Sequence, residues 1–592
     1  MKKNTSNKFE VTSDELQVTF INPPRPSGTP HFKRRGMEAT LLLFCFSALL
    51  LFCFTAAFGQ SPAKYWVQFT HKETANYSVN KPEVFLSPAA IEKRLKFNIP
   101  VTEQDFPVSR NHIAAVQLLD PMAILLATSK WLNGATFYSE NPDFITLMKG
   151  CEVVKYVEKT YIGKEPELFS NENVNYFNTN NPVVAIPNDL DYGYGTKQIR
   201  INNVHWLHRL GYKGEGITMQ VQDGGFKNSD SIRHFQKQFE DNRVRVVKNF
   251  VQPEKSTFRD GSHGTGVWSC IAAYVPGELV GSAPACLFYL VQTEDSRSEF
   301  VVEEDYWVSG IEFADSLGID IHTSSLGYST FDDSTYYRAY DCLDGKTSRA
   351  SLAADIAVSK GMIVINSAGN SGKDAWHYIS CPADAKDILT VGAINNEGKR
   401  AAFSSYGPTY DGRVKPDGAA VGWMTFVGLP NNKTLPGNGT SYSAPLFAGM
   451  VACLKQAFPD KTPYEIADAI RKSGSQFANP DTALGYGITD FLKAYNILAL
   501  PENGNLRFDI SSFVITATKM SFLIHTKEDT KVIIRYGLRS EGKMKTKKLN
   551  IATAVKYVQL PVPKLLKGKK YDFFDVTVSK GETEYKFVFG RE

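Results

Sequence analysis

Three short segments of this chain carry the side chains that nucleophilic catalysis needs, a carboxylate, an imidazole and a hydroxyl, each within two residues of a glycine. Met219-Gln220-Val221-Gln222-Asp223-Gly224-Gly225 reads as a strand that ends on a carboxylate followed by two flexible glycines. A lone strand-end aspartate is more often a turn residue or a helix cap than a reacting group. Asp260-Gly261-Ser262-His263-Gly264-Thr265-Gly266-Val267 leads into the helical run Trp268 to Ala273. Its glycines let backbone approach the imidazole and leave the ring accessible, although a histidine at a helix start is equally explained by structure alone. Gly437-Asn438-Gly439-Thr440-Ser441-Tyr442-Ser443-Ala444-Pro445 continues as an apolar helix to Phe458. Ser441 there is either an N-cap hydroxyl or an oxygen near the positive end of the helix, where negative charge on a nucleophile or substrate is favoured. It is not a Gly-x-Ser-x-Gly elbow, because Ser443 stands where the second glycine belongs.

Together the three segments say more than each does alone. Their chain order, Asp, His, Ser, is that of subtilisin and differs from the chymotrypsin and α/β-hydrolase orders. Asp223-Gly224-Gly225, His263-Gly264-Thr265-Gly266-Val267 and Gly439-Thr440-Ser441-Tyr442-Ser443-Ala444-Pro445 resemble the signature segments of the subtilisin-like serine proteases, the subtilase family, over about residues 194–497. Asn366-Ser367-Ala368-Gly369-Asn370-Ser371-Gly372 resembles the stretch whose asparagine donates to the oxyanion, and Ser324-Ser325-Leu326-Gly327 the edge on which substrate backbone lies.

The resemblance implies a nucleophile at Ser441, a general base at His263, an orienting carboxylate at Asp223 and an oxyanion donor at Asn370. It also implies peptide substrate bound as an extended strand against Ser325, Leu326, Gly327 and Gly369. Gly224 replaces the usual Ser or Thr after the aspartate and Tyr442 the usual Met after the serine, which implies an altered pocket with the chemistry kept. Relatives that share the Gly-Thr-Ser segment but use a Glu for the His are set apart by His263. Cys381-Pro382 falls where subtilases commonly carry a cis proline. The rival readings are a catalytically inactive subtilase fold used for binding or envelope attachment, an esterase with the same triad, and a membrane-tethered adhesion module. No cofactor is expected: calcium often stabilises subtilases, but no loop here shows a recognisable set of oxygen ligands, and no metal site is assigned.

These residues need a scaffold that brings distant segments together. Between Tyr194 and Leu500 short apolar runs alternate with helices: Ile217 to Gln222, Leu287 to Gln292, Ile319 to Ser324, Met362 to Ser367 and Ile388 to Val391. Such runs belong in a parallel sheet covered by helices on both faces, an α/β fold of subtilisin-like kind. Residues 60–163 read as a small α+β domain, and their position before the protease-like segment suggests a propeptide that inhibits it intramolecularly. Residues 164–193 are rich in Asn and Pro and read as an exposed linker, with a first cut expected between Glu165 and Tyr194. Residues 501–592 alternate as strands and suggest a small sandwich.

The length of 592 residues is too great for one core, and 43% hydrophobic with 22% charged residues is ordinary for packed protein. The net charge of +4 gives no field that points to nucleic acid. Residues 501–592 nevertheless hold 18 Lys or Arg against 10 Asp or Glu, and residues 1–36 hold 7 against 3. Leu41 to Phe54 is apolar except for Ser47, follows Lys33-Arg34-Arg35 and precedes small residues, a signal-peptide layout within an N-terminal extension of residues 1–59. A secreted or extracytoplasmic protein is expected, with a single-pass anchor as the alternative. Membrane contact is expected only through an uncleaved N-terminal segment or the basic C-terminal domain. Of the cysteines beyond that segment, Cys270 and Cys453 read as core residues, and a Cys342–Cys381 bridge is one option. The acidic stretch from Glu294 to Asp305 reads as a solvated loop in preference to a wall that selects basic substrate residues.

Overall fold

The computed structural model describes residues 62–592 except 75, 164–173, 177–184, 501–505, 527 and 552–554; of 174–176, 510 and 511 it gives the backbone alone. The apolar run from Leu41 to Phe54, and with it the signal-peptide reading, lies outside the described residues.

The first sheet is antiparallel, with β1 (Ala63–Phe69), β2 (Ile124–Ser129), β3 (Gly134–Ser139) and β4 (Val154–Ile162) in the order β2-β3-β1-β4. Helices α1 (Pro88–Lys96) and α2 (Arg110–Leu119) accompany it, each started by a serine whose side chain accepts from the first-turn backbone.

The second sheet has eight strands: β5 (Val174–Tyr176), β6 (Thr218–Asp223), β7 (Val244–Asn249), β8 (Leu287–Gln292), β9 (Ile321–Ser324), β10 (Ile363–Ser367), β11 (Leu389–Ile394) and β12 (Gly418–Val421). Their order is β12-β11-β10-β9-β6-β8-β7-β5, parallel throughout except for β5. Part of the Asn-rich segment is thus an edge strand of this sheet rather than free linker. One face carries α3 (His263–Ala272) and α6 (Thr440–Ala457), the other α4 (Val302–Leu317) and α5 (Arg349–Ser359). The period of two along β6 sends Met219 and Val221 into the core with α3 and α6. Gln220 and Gln222 point the other way and donate to Gly310 O at 2.9 Å and Trp307 O at 3.2 Å of α4. Asp223 therefore leaves the sheet on the side where α3 begins.

Helix α7 (Phe491–Leu498) joins this unit to a sandwich built from β15 (Leu506–Ile515), β16 (Lys519–Thr526), β17 (Thr530–Leu538), β18 (Lys545–Ile551), β19 (Val555–Pro561), β20 (Asp572–Lys580) and β21 (Thr583–Arg591), after the hairpin β13 (Trp423–Gly428) and β14 (Thr434–Asn438). Its two sheets, β15-β16-β19 and β18-β17-β20-β21, share one apolar core.

The N-terminal sheet rests on α4 through buried ionic contacts. Glu312 accepts from Ser129 Oγ at 2.5 Å and from the backbone N–H groups of Lys130 and Trp131 at 2.7 and 3.0 Å. Asp315 accepts from Arg94 and Lys130, each at 2.8 Å, and Asp105 from Arg94 at 3.2 Å and Lys360 at 3.0 Å. Charges buried in this way are held only as a complete set, so loss of one partner is costly. All six cysteines of the described region are free thiols, so no Cys342–Cys381 bridge forms. Among the described residues no helix is long and apolar enough to cross a membrane.

Candidate active site

Strand β6 lies where the strand order reverses, flanked by β8 and β9, and the crevice outside such a point is where α/β sheets take ligands. Asp223 ends β6, the Glu294 segment follows β8 and Ser325 follows β9, so all three open at the carboxyl edge of the sheet.

Asp223 is fully buried, and both carboxylate oxygens face Nδ1 of His263, at 2.9 and 3.0 Å. Its Oδ1 also accepts from Gly224 N at 2.8 Å. His263 opens α3 with its side chain 44% exposed, so the ring is anchored at one nitrogen and open at the other. The Asp223 carboxylate raises the imidazole pKa above its usual value, against a smaller opposing effect of desolvation. Close backbone contact makes this pairing possible. A Cβ on Gly264 would lie 2.3 Å from Gly225 O and 3.0 Å from the Asp223 side chain, and one on Gly261 would lie 1.9 Å from Gly224 O.

Ser441 is the second residue of α6, at the positive end of that helix, and its carbonyl accepts from Ser325 Oγ at 2.9 Å. No hydrogen bond joins Ser441 Oγ to His263 among the described residues; catalytic contacts of this kind are commonly long until substrate is bound. Asn370 Oδ1 accepts from Thr440 N at 2.8 Å and Thr440 Oγ1 at 3.0 Å. With its oxygen held there, its amide NH2 is left as a donor. Gly369 N donates to Thr440 Oγ1 at 3.2 Å. Ser325, Leu326 and Gly327 run on from β9 without a ladder partner among the described residues, as a strand-accepting edge must. The Cys381–Pro382 bond is cis.

The motifs contain Asn366, Ser324 and Thr440 without showing what they do, and Trp307 carries no sequence signal. Asn366 Nδ2 donates to Leu326 O at 3.0 Å and its Oδ1 accepts from Ser324 Oγ, which also accepts from Trp307 Nε1 at 3.1 Å. Thr440 is read best as the hub between Asn370, Gly369 and α6, and its only sequence signal is its place before Ser441. Tyr442 stands with its ring centroid 6.2 Å from that of His263, and burial pushes its phenol up to about 12.

The acidic stretch corrects the solvated-loop expectation. Glu303, Glu304 and Asp305 are buried in the first turn of α4. Glu304 is paired with Arg338 and Asp305 with Arg349. Glu294, Glu299 and Glu303 instead line a cleft of about 460 Å³ together with Asp223, His263 and Leu326. They bring one carboxylate oxygen each within 4.8 Å of one another. Glu294 accepts from Tyr328 OH at 2.5 Å, and Glu303 from the backbone N–H groups of Asp295 at 2.9 Å and Phe300 at 3.1 Å. Burial, then the neighbouring carboxylates, push Glu294 well up, Glu303 to about 9 and Glu299 to about 7.

A small domain seated on α4, a parallel sheet with helices on both faces and an Asp–His pair at a cleft fit the class of serine peptidases made with a propeptide. The chain belongs to the Subtilase family, whose pattern matches residues 189–487, and the Peptidase S8 propeptide domain, Bacteroidota, matches residues 64–173. It is 30% identical to Subtilisin NAT of Bacillus subtilis subsp. natto over 295 residues, 48% of this chain and 67% of that protein. It is also 30% identical to Subtilisin of Bacillus pumilus over 291 residues, 48% of this chain and 91% of that protein. The crystal structure of MycP1 with its N-terminal propeptide removed aligns at 22% identity over 52% of this chain and 97% of that one, with a TM-score of 0.40.

Proposed function

We propose that the protein is an exported serine endopeptidase, synthesised with its inhibitor attached, in which Ser441 is the nucleophile. The observation that carries this reading is the imidazole of His263, tied at Nδ1 to both oxygens of the buried Asp223 and exposed on its other side to the cleft. Bonded in this way, His263 keeps its proton on Nδ1 and offers Nε2 as the base for the Ser441 hydroxyl; it then passes that proton to the leaving amine. Asp223 positions the ring and stabilises the imidazolium that forms. The start of α6 and the amide of Asn370 face the developing oxyanion, and substrate backbone pairs with Ser325 to Gly327. Export rests on the signal-peptide layout before Gln60, and propeptide control on the buried ionic seat of the N-terminal sheet. The experiment that tests this reading is fluorophosphonate labelling followed by mass spectrometry, with the label expected on Ser441. Label elsewhere, or none on folded protein whose N-terminal domain has been removed, overturns it.

Asn370→Ala is expected to slow turnover about a hundred- to a thousandfold, the loss that follows removal of one oxyanion donor in subtilisin. KM should hardly move, because the donor acts on charge absent from bound substrate. Steady-state kinetics on one peptide substrate checks both.

The acidic cleft wall leads to an expectation about substrate. Peptides with Lys or Arg on the acyl side of the cut should be cleaved faster than the same peptides with norleucine there. The margin should widen as pH rises through about 7 and towards about 9, because Glu299 and then Glu303 lose their protons and gain charge. A peptide library assayed at three pH values reads this, and indifference to Lys and Arg counts against it.

A further inference from the structure

The C-terminal sandwich meets the rest of the protein along β21 and the start of β20. The Asn496 side chain exchanges two hydrogen bonds of 2.8 Å with the Val588 backbone, and Glu592 accepts from Arg200 and Arg209, each at 2.6 Å. Trp206 packs edge-on against Tyr571 and Phe573. In the four-stranded sheet β21 is one edge and β18 is the other. The β18 edge thus lies across that sheet from β21.

On this flank two strand edges lie side by side, for Lys547 Nζ of β18 reaches the Gln559 carbonyl of β19 at 3.1 Å. The segment from Lys543 to Lys570 contains nine lysines and no Asp or Glu. Among the described residues none of the nine has an ion pair. Three acids of the domain are paired with other bases: Asp575 with Arg539, Glu584 with Arg535 and Lys586, and Glu528 with Lys580. Glu541 and Asp572 border the segment at its two ends. Lys545, Lys547 and Lys548 lie on β18, and Lys556 lies on β19. Lys564, Lys567, Lys569 and Lys570 follow on the exposed connection to β20, which begins at the end of the sandwich where β18 starts. The Ser540 N–H, in the turn that precedes Lys543, bonds to the Asp572 carboxylate at the other end of that connection, which brings the two lysine groups together.

Apolar side chains are interleaved with these charges: Met544 is 44% exposed, Leu566 42%, Val555 52% and Tyr557 56%. Lysines on an open strand edge guard it against pairing with other chains. That accounts for Lys545 and Lys547 but not for the four lysines on the connection, which lie on no strand. A hydrated acidic polymer would use the charge and leave Met544 and Leu566 in water. A bilayer surface uses both, because lysines attract anionic headgroups while apolar tips enter the interface. We infer that the Lys543–Lys570 flank docks the protein on an anionic membrane surface, with the lysines at lipid phosphates and Leu566 and Met544 in the interfacial layer.

The test is sedimentation of the full chain with vesicles of phosphatidylcholine alone and with about 30% phosphatidylglycerol added, enough to set up the negative surface potential that lysines sense. Residues 1–59 also carry charge and apolar surface, so the comparison is among variants that differ in this flank alone. The parent should prefer anionic vesicles, and the preference should weaken with salt. The loop variant Lys564→Gln/Lys567→Gln/Lys569→Gln/Lys570→Gln should bind anionic vesicles at least about tenfold more weakly, and the strand-edge variant Lys545→Gln/Lys548→Gln several-fold more weakly. Leu566→Ser should weaken vesicle binding with its charge intact. Unchanged melting and fluorophosphonate labelling establish that each variant is folded. Equal binding of parent and loop variant, or equal binding to both vesicle types, overturns the inference. So does a parent that ignores vesicles yet is retained by alginate, which assigns the flank to an acidic polymer.

Discussion

Ser441→Ala is expected to lower peptide hydrolysis about a millionfold, the scale on which subtilisin loses turnover when its nucleophile is removed. The protein should still fold. Ser441 is 9% exposed, and its Oγ makes no hydrogen bond among the described residues, so truncation leaves no buried partner unsatisfied. At the second position of a helix alanine costs nothing in propensity. Three measurements separate loss of chemistry from loss of structure: the rate on a chromogenic peptide, fluorophosphonate labelling and the melting temperature. The variant should be silent in the first two and unchanged in the third. It should also keep its N-terminal domain attached if maturation is self-catalysed. Full activity in this variant would remove the nucleophile assignment.

Asp223→Asn is the second large effect, with turnover at neutral pH expected to fall about ten-thousandfold. The asparagine retains the volume, so buried packing survives. What changes is the atom facing Nδ1: an amide that presents its NH2 there holds the imidazole in the wrong tautomer, with the proton on the nitrogen meant to act as base. A pH signature follows from the same contact. In the parent the carboxylate raises the His263 pKa, so activity is lost as pH falls through a value above the ordinary 6.5. In the variant desolvation acts unopposed and this acidic limb moves to lower pH. Stability runs in the opposite sense. A histidine raised in the folded state contributes stability at pH below its unfolded pKa and loses it as pH rises through the folded pKa. The variant should therefore lose more melting temperature at pH 5 than at pH 9. A pH–rate profile and two melting curves decide it, and an acidic limb unmoved by the substitution would show that Asp223 does not govern His263.

The sequence made the alternation of strands and helices readable because buried parallel strands are short apolar runs. β8 was recognised at its full length for that reason. β7 was missed because Val244-Arg245-Val246-Val247-Lys248-Asn249 mixes charge into an edge-side strand, and β18 was missed because Lys-Thr-Lys-Lys is not the composition of a strand. The β5 strand lay hidden in an Asn-rich segment, since three residues take their conformation from the β7 edge and not from their own pattern. In the N-terminal domain β3 is not legible in the sequence, because its six residues are all buried and lack alternation.

At the site the division is sharper. The identities of Asp223, His263, Asn370 and Ser441, their order and their glycine neighbours are local properties, and reading them required no coordinates. The sequence by itself determined which chemical groups are available and the class of scaffold that carries them, because hydroxyl, imidazole and carboxylate in glycine-lined turns are written residue by residue. Only the tertiary structure decided which groups share a space. Crossovers from β8 through α4 to β9 bring Glu294, Glu299 and Glu303 to the wall beside His263, and seat Glu312 and Asp315 under the N-terminal sheet. The lysine flank of the sandwich likewise exists only because β18 and β19 end as neighbouring edges of different sheets. Charge is a local fact, but its partner, its burial and hence its energy depend on chain segments that meet only after folding.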